Sequence, residues 1–177
     1  NKEIHVCSAA DAGCLSYVPT LLNSVSKNTI RNTTSHGIQV YNGYNNQIDD
    51  NTIYGAGDTT TEHGILVYCS NGINIRNNRV DSSYGHNIFV NHAVACPCNY
   101  IIISNNYVRD ARGDGIKINA ASNYTITGNL SYNNAGFEFS IYGTDHTFIG
   151  NNAGGGTVQT SCTGCIPATF NTMNKVP

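Results

Sequence analysis

One repeat constrains this chain more than any other feature. An Asn recurs with a β-branched residue two positions later, in Asn28-Thr29-Ile30, Asn51-Thr52-Ile53, Asn78-Arg79-Val80 and Asn106-Tyr107-Val108. The register continues at Asn129 and Asn152, with spacings of 23, 27, 28, 23 and 23 residues. Three residues before each Asn stands an apolar branched residue: Val25, Ile48, Ile75, Ile103, Ile126 and Ile149. A second signature follows downstream in each unit: Gly37-Ile38-Gln39-Val40, Gly64-Ile65-Leu66-Val67, Asn87-Ile88-Phe89-Val90, Gly115-Ile116-Lys117-Ile118 and Gly136-Phe137-Glu138-Phe139.

Each unit therefore contains short runs of alternating polarity, punctuated by Asn and Gly, which is the pattern of strands and bends. A unit of 23 residues is too short for a strand plus a substantial helix, and it lacks a leucine-rich framework. One turn of a parallel β-solenoid fits, with rungs about 4.8 Å apart and equivalent side chains stacked. Stacked Ile and Val then fill a narrow core, and stacked Asn hydrogen-bond at the bends. Gly37, Gly64, Gly115 and Gly136 are expected at positive φ, with Asn87 substituting as the next-best residue. The expectation is an all-β, right-handed parallel β-helix of about six rungs over residues 23–152. Residues 1–22 would supply an N-terminal strand and a short helical cap, and 153–177 a Gly/Thr/Cys tail.

The composition agrees. The chain has 177 residues, of which 26 are Asn and 18 Gly, and only 11% carry charge. A net charge of −2 excludes binding to nucleic acid by phosphate neutralisation. No apolar run approaches the roughly 18 residues of a membrane span. Seven Cys point to an oxidising compartment. With no leader and no initiating Met, the sequence reads as an already processed extracellular chain, secreted or at the cell surface. Sequons at Asn32, Asn123 and Asn129 fit that reading.

The N-x-I and (H/D)-G-I-x-V motifs resemble the parallel β-helix repeats of the pectate-lyase-like superfamily, including alginate epimerases and NosD-like periplasmic proteins. The resemblance covers roughly residues 23–152. It implies a right-handed β-helix and leaves activity open, because that superfamily holds lyases, hydrolases, epimerases and passive adhesins. The Asp-Pro-His-Glu motif of an alginate epimerase and an Asp-rich calcium site are both missing.

Stacking turns the register into a surface map. Arg31, Tyr54, Asp81, Arg109 and Tyr132 form one column; His36, His63, His86 and Asp114 form another. If both flank one bend, Tyr54, His63, Asp81, His86, Arg109 and Asp114 assemble an acid, a base and a cation, as β-elimination or C5 epimerisation of a uronate requires. The alternative is that a His or Asp before a Gly only bonds the turn backbone. Leu66, Phe89 and Lys117 face outward and are candidates for sugar contact. Inserts around residues 55–61 and 91–98 offer walls for a short groove. The His column lacks a firm fourth ligand, so no metal and no cofactor are expected.

Cys7 with Cys14 would clip the N-terminal cap, and Cys162 with Cys165 would close a small loop. Cys69 lies one rung from Cys96 and Cys98 and is expected to pair with one of them, leaving the other as a free thiol or a link to another chain. Two functions follow from different classes. One is a disulfide-stabilised solenoid with a structural or adhesive role, self-associating end to end. The other is a lyase or epimerase on an acidic glycan, with a non-catalytic glycan-binding module as a third reading.

Overall fold

The computed structural model describes residues 4–7, 22–92, 96 and 98–163. Over these the chain is an all-β parallel solenoid of about six turns, with three strand-lined faces and no helix. The first face carries Ile4–Cys7, Ile38–Tyr41, Ile65–Tyr68, Ile88–Asn91, the start of Ile116–Thr127, Phe139–Thr144 and Val158–Thr163. The second carries Ser24–Ser26, Gln47–Asp49, Asn74–Arg76, Asn99–Ser104, the end of Ile116–Thr127 and Thr147–Ile149. Because one strand runs through both, these two faces form a single twelve-stranded sheet. The third face is a separate six-stranded sheet: Thr29–Thr33, Thr52–Ala56, Arg79–Asp81, Tyr107–Arg109, Leu130–Tyr132 and Asn152–Ala153.

Alternation places one residue in two inside, and stacking puts like on like. Ile38, Ile65, Ile88, Ile116 and Phe139 align on the first face. Val25, Ile48, Ile75, Ile103 and Ile126 align on the second, and Ile30, Ile53, Val80 and Val108 on the third. All but the end-rung residues Val25 and Ile30 are fully buried, and each such side chain contributes about 1.5–3 kcal/mol by leaving water.

The Asn column forms a continuous ladder. Each Oδ1 accepts both the backbone N–H and the Nδ2–H of the Asn one rung earlier, at 2.8–3.0 Å, from Asn28 through Asn51, Asn78, Asn106 and Asn129. Each Nδ2 also donates to a second-face carbonyl, as from Asn78 to Ile48. Buried amides thereby satisfy their donors and acceptors among themselves.

The last ladder member among the described residues is Asn151, not the expected Asn152. The last unit is one residue shorter, at 22, and a one-residue slip exchanges inside for outside. Phe148 therefore faces Ile126 in the core, and Ile149 is 41% exposed.

The glycine expectation also needs correction. Gly37, Gly64, Gly115 and Gly136 are not at positive φ, and neither is Asn87. Their column is tight rather than left-handed: a Cβ on Gly37 would lie 2.6 Å from the Gly64 carbonyl oxygen and 2.7 Å from Ile53. Positive φ falls on other columns, notably the residue before each ladder Asn: Lys27, Asp50, Asn77, Asn105, Gly128 and Gly150.

In the last repeat Phe139 aligns with Ile116, so Glu138 occupies the Gly115 position and is buried rather than outward. Gly136 bonds Gly113 and is its counterpart. Two glycines, Gly113 and Gly115, flank Asp114, and the motif matched the wrong one. The expected helical cap falls on residues 8–21, and part of the tail on 164–177, both outside the described residues.

Candidate functional site

The six acid–base candidates do not gather at one bend. They divide into two groups, and no hydrogen bond, ion pair or ring contact among the described residues joins a member of one to a member of the other.

On the third face Asp81 is buried between two guanidiniums, with Arg109 Nε at 3.0 Å and Arg79 Nη2 at 2.9 Å. Arg109 also reaches the Tyr132 hydroxyl at 3.4 Å, and that hydroxyl bonds the Tyr107 hydroxyl. Arg79 lies 4.9 Å from the Tyr107 ring centroid. Tyr54 stands in the same column as Asp81, 43% exposed.

The histidines lie where the chain turns into the first face. The rings of His36, His63 and His86 stack at 5.3 and 5.1 Å. Each Nδ1 accepts the backbone N–H one rung on: His36 from His63 at 2.9 Å, His63 from His86 at 3.0 Å, and His86 from Asp114 at 2.8 Å. Asp114 continues the pattern, its Oδ1 accepting Phe137 N–H at 2.8 Å. Burial, reinforced by the neighbouring His86, His36 and Lys117, pushes His63 down to about 3. Burial brings His86 to about 4, opposed by Asp114 and assisted by Lys117. Both imidazoles are therefore neutral near pH 7, with Nδ1 as acceptor and the proton on Nε2.

Beside this ladder the first face is indented by a groove of about 410 Å³. Leu66 and Phe89 lie in it with His63 and His86, and Tyr68 and Asn91 line the neighbouring outward column. Thr60 and Thr61, from the insert after the third-face strand, close one side. Phe89 packs edge-on against both imidazoles at 4.8 and 4.9 Å, and Tyr68 stacks on Tyr41 at 5.1 Å. Lys117 lies 5.7 Å from the Phe89 centroid and pairs with Asp114 at 3.5 Å. Leu66, expected outward and open, is only 8% exposed, since it sits within the walled groove. Tyr68 and Asn91 were not among the candidates. Their signal was present, two residues beyond Leu66 and Phe89 on strands of period 2.

Of the two partners open to Cys69, the structure bonds Cys96, leaving Cys98 as a buried free thiol. The partners expected for Cys7 and Cys162, namely Cys14 and Cys165, lie outside the described residues. Asn32 and Asn123 are exposed, whereas Asn129 is buried in the ladder, its amide donating to Ile103, Thr127 and Asn151.

Rungs of this length, a stacked aliphatic core and an internal Asn ladder define the chain as a parallel β-helix. It belongs to the NosD family: the family model described as periplasmic copper-binding protein (NosD) matches residues 22–175. Comparisons with curated proteins and with solved structures find no match. The family description accords with a cell-envelope or extracellular location. Among the described residues no helix is long and apolar enough to cross a membrane.

Copper does not fit the residues described. No three His, Cys, Asp or Glu among them stand together as ligands. In the His ladder each Nδ1 lone pair already takes a backbone N–H, and Nε2 carries the proton, so metal binding there would break the ladder.

Proposed function

We propose that this protein is a rigid, non-catalytic adhesive solenoid of the cell envelope that holds a glycan chain on its first face. The first-face groove carries this reading. It combines aromatic faces at Phe89 and Tyr68 with hydroxyl, amide and imidazole groups on a flat, rung-stiffened floor, the mixture that sugar rings and their hydroxyls require. Catalysis draws less support from the same geometry, because Asp81 is held between two arginines and each ladder Nδ1 is occupied by the backbone.

Titration calorimetry against soluble polysaccharides, with parallel assays for new reducing ends and unsaturated uronate, tests this. Binding without product is expected, weakened about tenfold in Phe89→Ala or Tyr68→Ala at unchanged melting temperature. Failure of every glycan to bind overturns the reading. Product formation that disappears in His86→Ala/Arg109→Ala replaces it with the lyase or epimerase.

End-to-end self-association is the second reading. Ile4–Cys7 and Val158–Thr163 each pair with one strand only among the described residues, and open strand edges template further pairing. A protein that sediments as a monomer at high concentration removes it.

A further inference from the structure

We propose that the ligand of the first-face groove is an uncharged sugar chain bearing small apolar substituents, held at its oxygen atoms by the Nε2–H groups of His63 and His86; this rests on the glycan reading of the same groove. Three observations lead there. Among the described residues no Asp, Glu, Lys or Arg lines the groove. Beside it, Lys117 and Asp114 are paired with each other at 3.5 Å, and Glu62 Oε2 accepts the Asp58 and Thr59 N–H groups, so none of them is a free counter-charge for a carboxylate or an amine. Among the polar groups that line the groove, those of His63 and His86 are donors of fixed sense, whereas the hydroxyls of Thr60, Thr61 and Tyr68 and the Asn91 amide can both donate and accept. The backbone claims Nδ1 of both histidines, which leaves Nε2–H as the ring donor beside the groove, and neither Nε2 has a hydrogen-bond partner among the described residues.

The floor adds selectivity. Leu66 and Phe89 stack on consecutive rungs, and a bare hydroxyl laid on them would lose water without gaining a partner. A deoxy carbon, or the methyl of an acetyl group, meets the same surface at no such cost, while its neighbouring ring and carbonyl oxygens accept from the imidazoles. A uronate would bring a carboxylate to a wall without a free cation.

The ladder also supplies a probe. Asp114 does through Oδ1 what the histidines do through Nδ1, so His86→Asn keeps an acceptor for Asp114 N–H while it removes the Nε2–H donor, together with the ring's contacts to His63 and Phe89. Calorimetry would compare a neutral hexose oligosaccharide, a deoxyhexose- or N-acetylhexosamine-containing one, and a uronate oligosaccharide of equal length. The deoxy or acetylated chain should bind tightest and the uronate weakest, with affinity level between about pH 8 and 5 because no groove imidazole gains a proton there. His86→Asn should weaken binding about three- to tenfold. Nitrogen-15 spectra of the histidines should show Nε2 protonated and Nδ1 bare. Uronate binding as tight as the neutral chains, or unchanged affinity in His86→Asn, overturns this proposal while leaving a glycan site. Binding of none of the three, with none in the wider polysaccharide panel, removes the glycan reading itself.

Discussion

Ser70 and Cys98 hold equivalent places on successive rungs. Ser70 Oγ accepts Gly43 N–H at 3.0 Å and donates to the Tyr68 carbonyl at 2.8 Å. Cys98 Sγ accepts Ser70 N–H at 3.2 Å and donates to the Asn91 carbonyl at 3.2 Å. The odd cysteine is thus a buried cap of the backbone, and burial pushes its thiol up to about 11. A protonated, enclosed thiol is a poor nucleophile. Cys98→Ser should therefore unfold within about 1 kcal/mol of the parent protein, whereas Cys98→Ala leaves Ser70 N–H without an acceptor and should cost about 1–3 kcal/mol. Urea titration measures both. Rapid alkylation of Cys98 in the native protein at pH 8 would show that the site is open and the assignment wrong.

Strands and bends were not equally legible. Inward columns such as Ile48, Ile75, Ile103 and Ile126 could be read directly, because hydrogen bonding between rungs locks strand register and alternation marks the inner side. Bends obey no such count. Whether Gly113 or Gly115 leads the next strand, or Asn151 or Asn152 joins the ladder, depends on how many residues the turn takes, and the spacing leaves both choices open. The site suffered in the same way. Tyr54, Asp81 and Arg109 are close in sequence to the His column, but the bend turns their side chains onto a different face. Glycine roles divide along this line and can be tested. Gly64 abuts Val80 and the Asn87 carbonyl at ordinary φ, so Gly64→Ala must displace a core strand and should cost about 1–3 kcal/mol or more. Gly150 has φ +66° and an open Cβ direction, so Gly150→Asn should be nearly neutral. Thermal melts of the two variants distinguish a packing glycine from a turn glycine; equal losses would refute the division.

For the molecule as a whole, the imidazole ladder links stability to acid. His63 and His86 lie far below their ordinary value of 6.5, at about 3 and about 4, and burial also lowers His146. The native state therefore binds fewer protons than the unfolded chain wherever these groups titrate in the unfolded chain but not in the fold. Stability that these histidines confer is complete above pH 6.5 and is lost as pH falls through 6.5 towards 4, at up to about 1.4 kcal/mol per pH unit for each histidine. Protonation would also remove the Nδ1 acceptor and set like charges on rings 5.1 Å apart, so the loss falls on the rungs that build the groove. Urea midpoints should be level from pH 8 to 6.5 and then drop steadily. His63→Asn and His86→Asn keep an acceptor for the next rung without a titrating ring, and each should flatten that slope. A flat profile down to pH 4 in the parent protein, or an unaltered slope in both variants, would mean that the ladder does not set the acid limit of the fold.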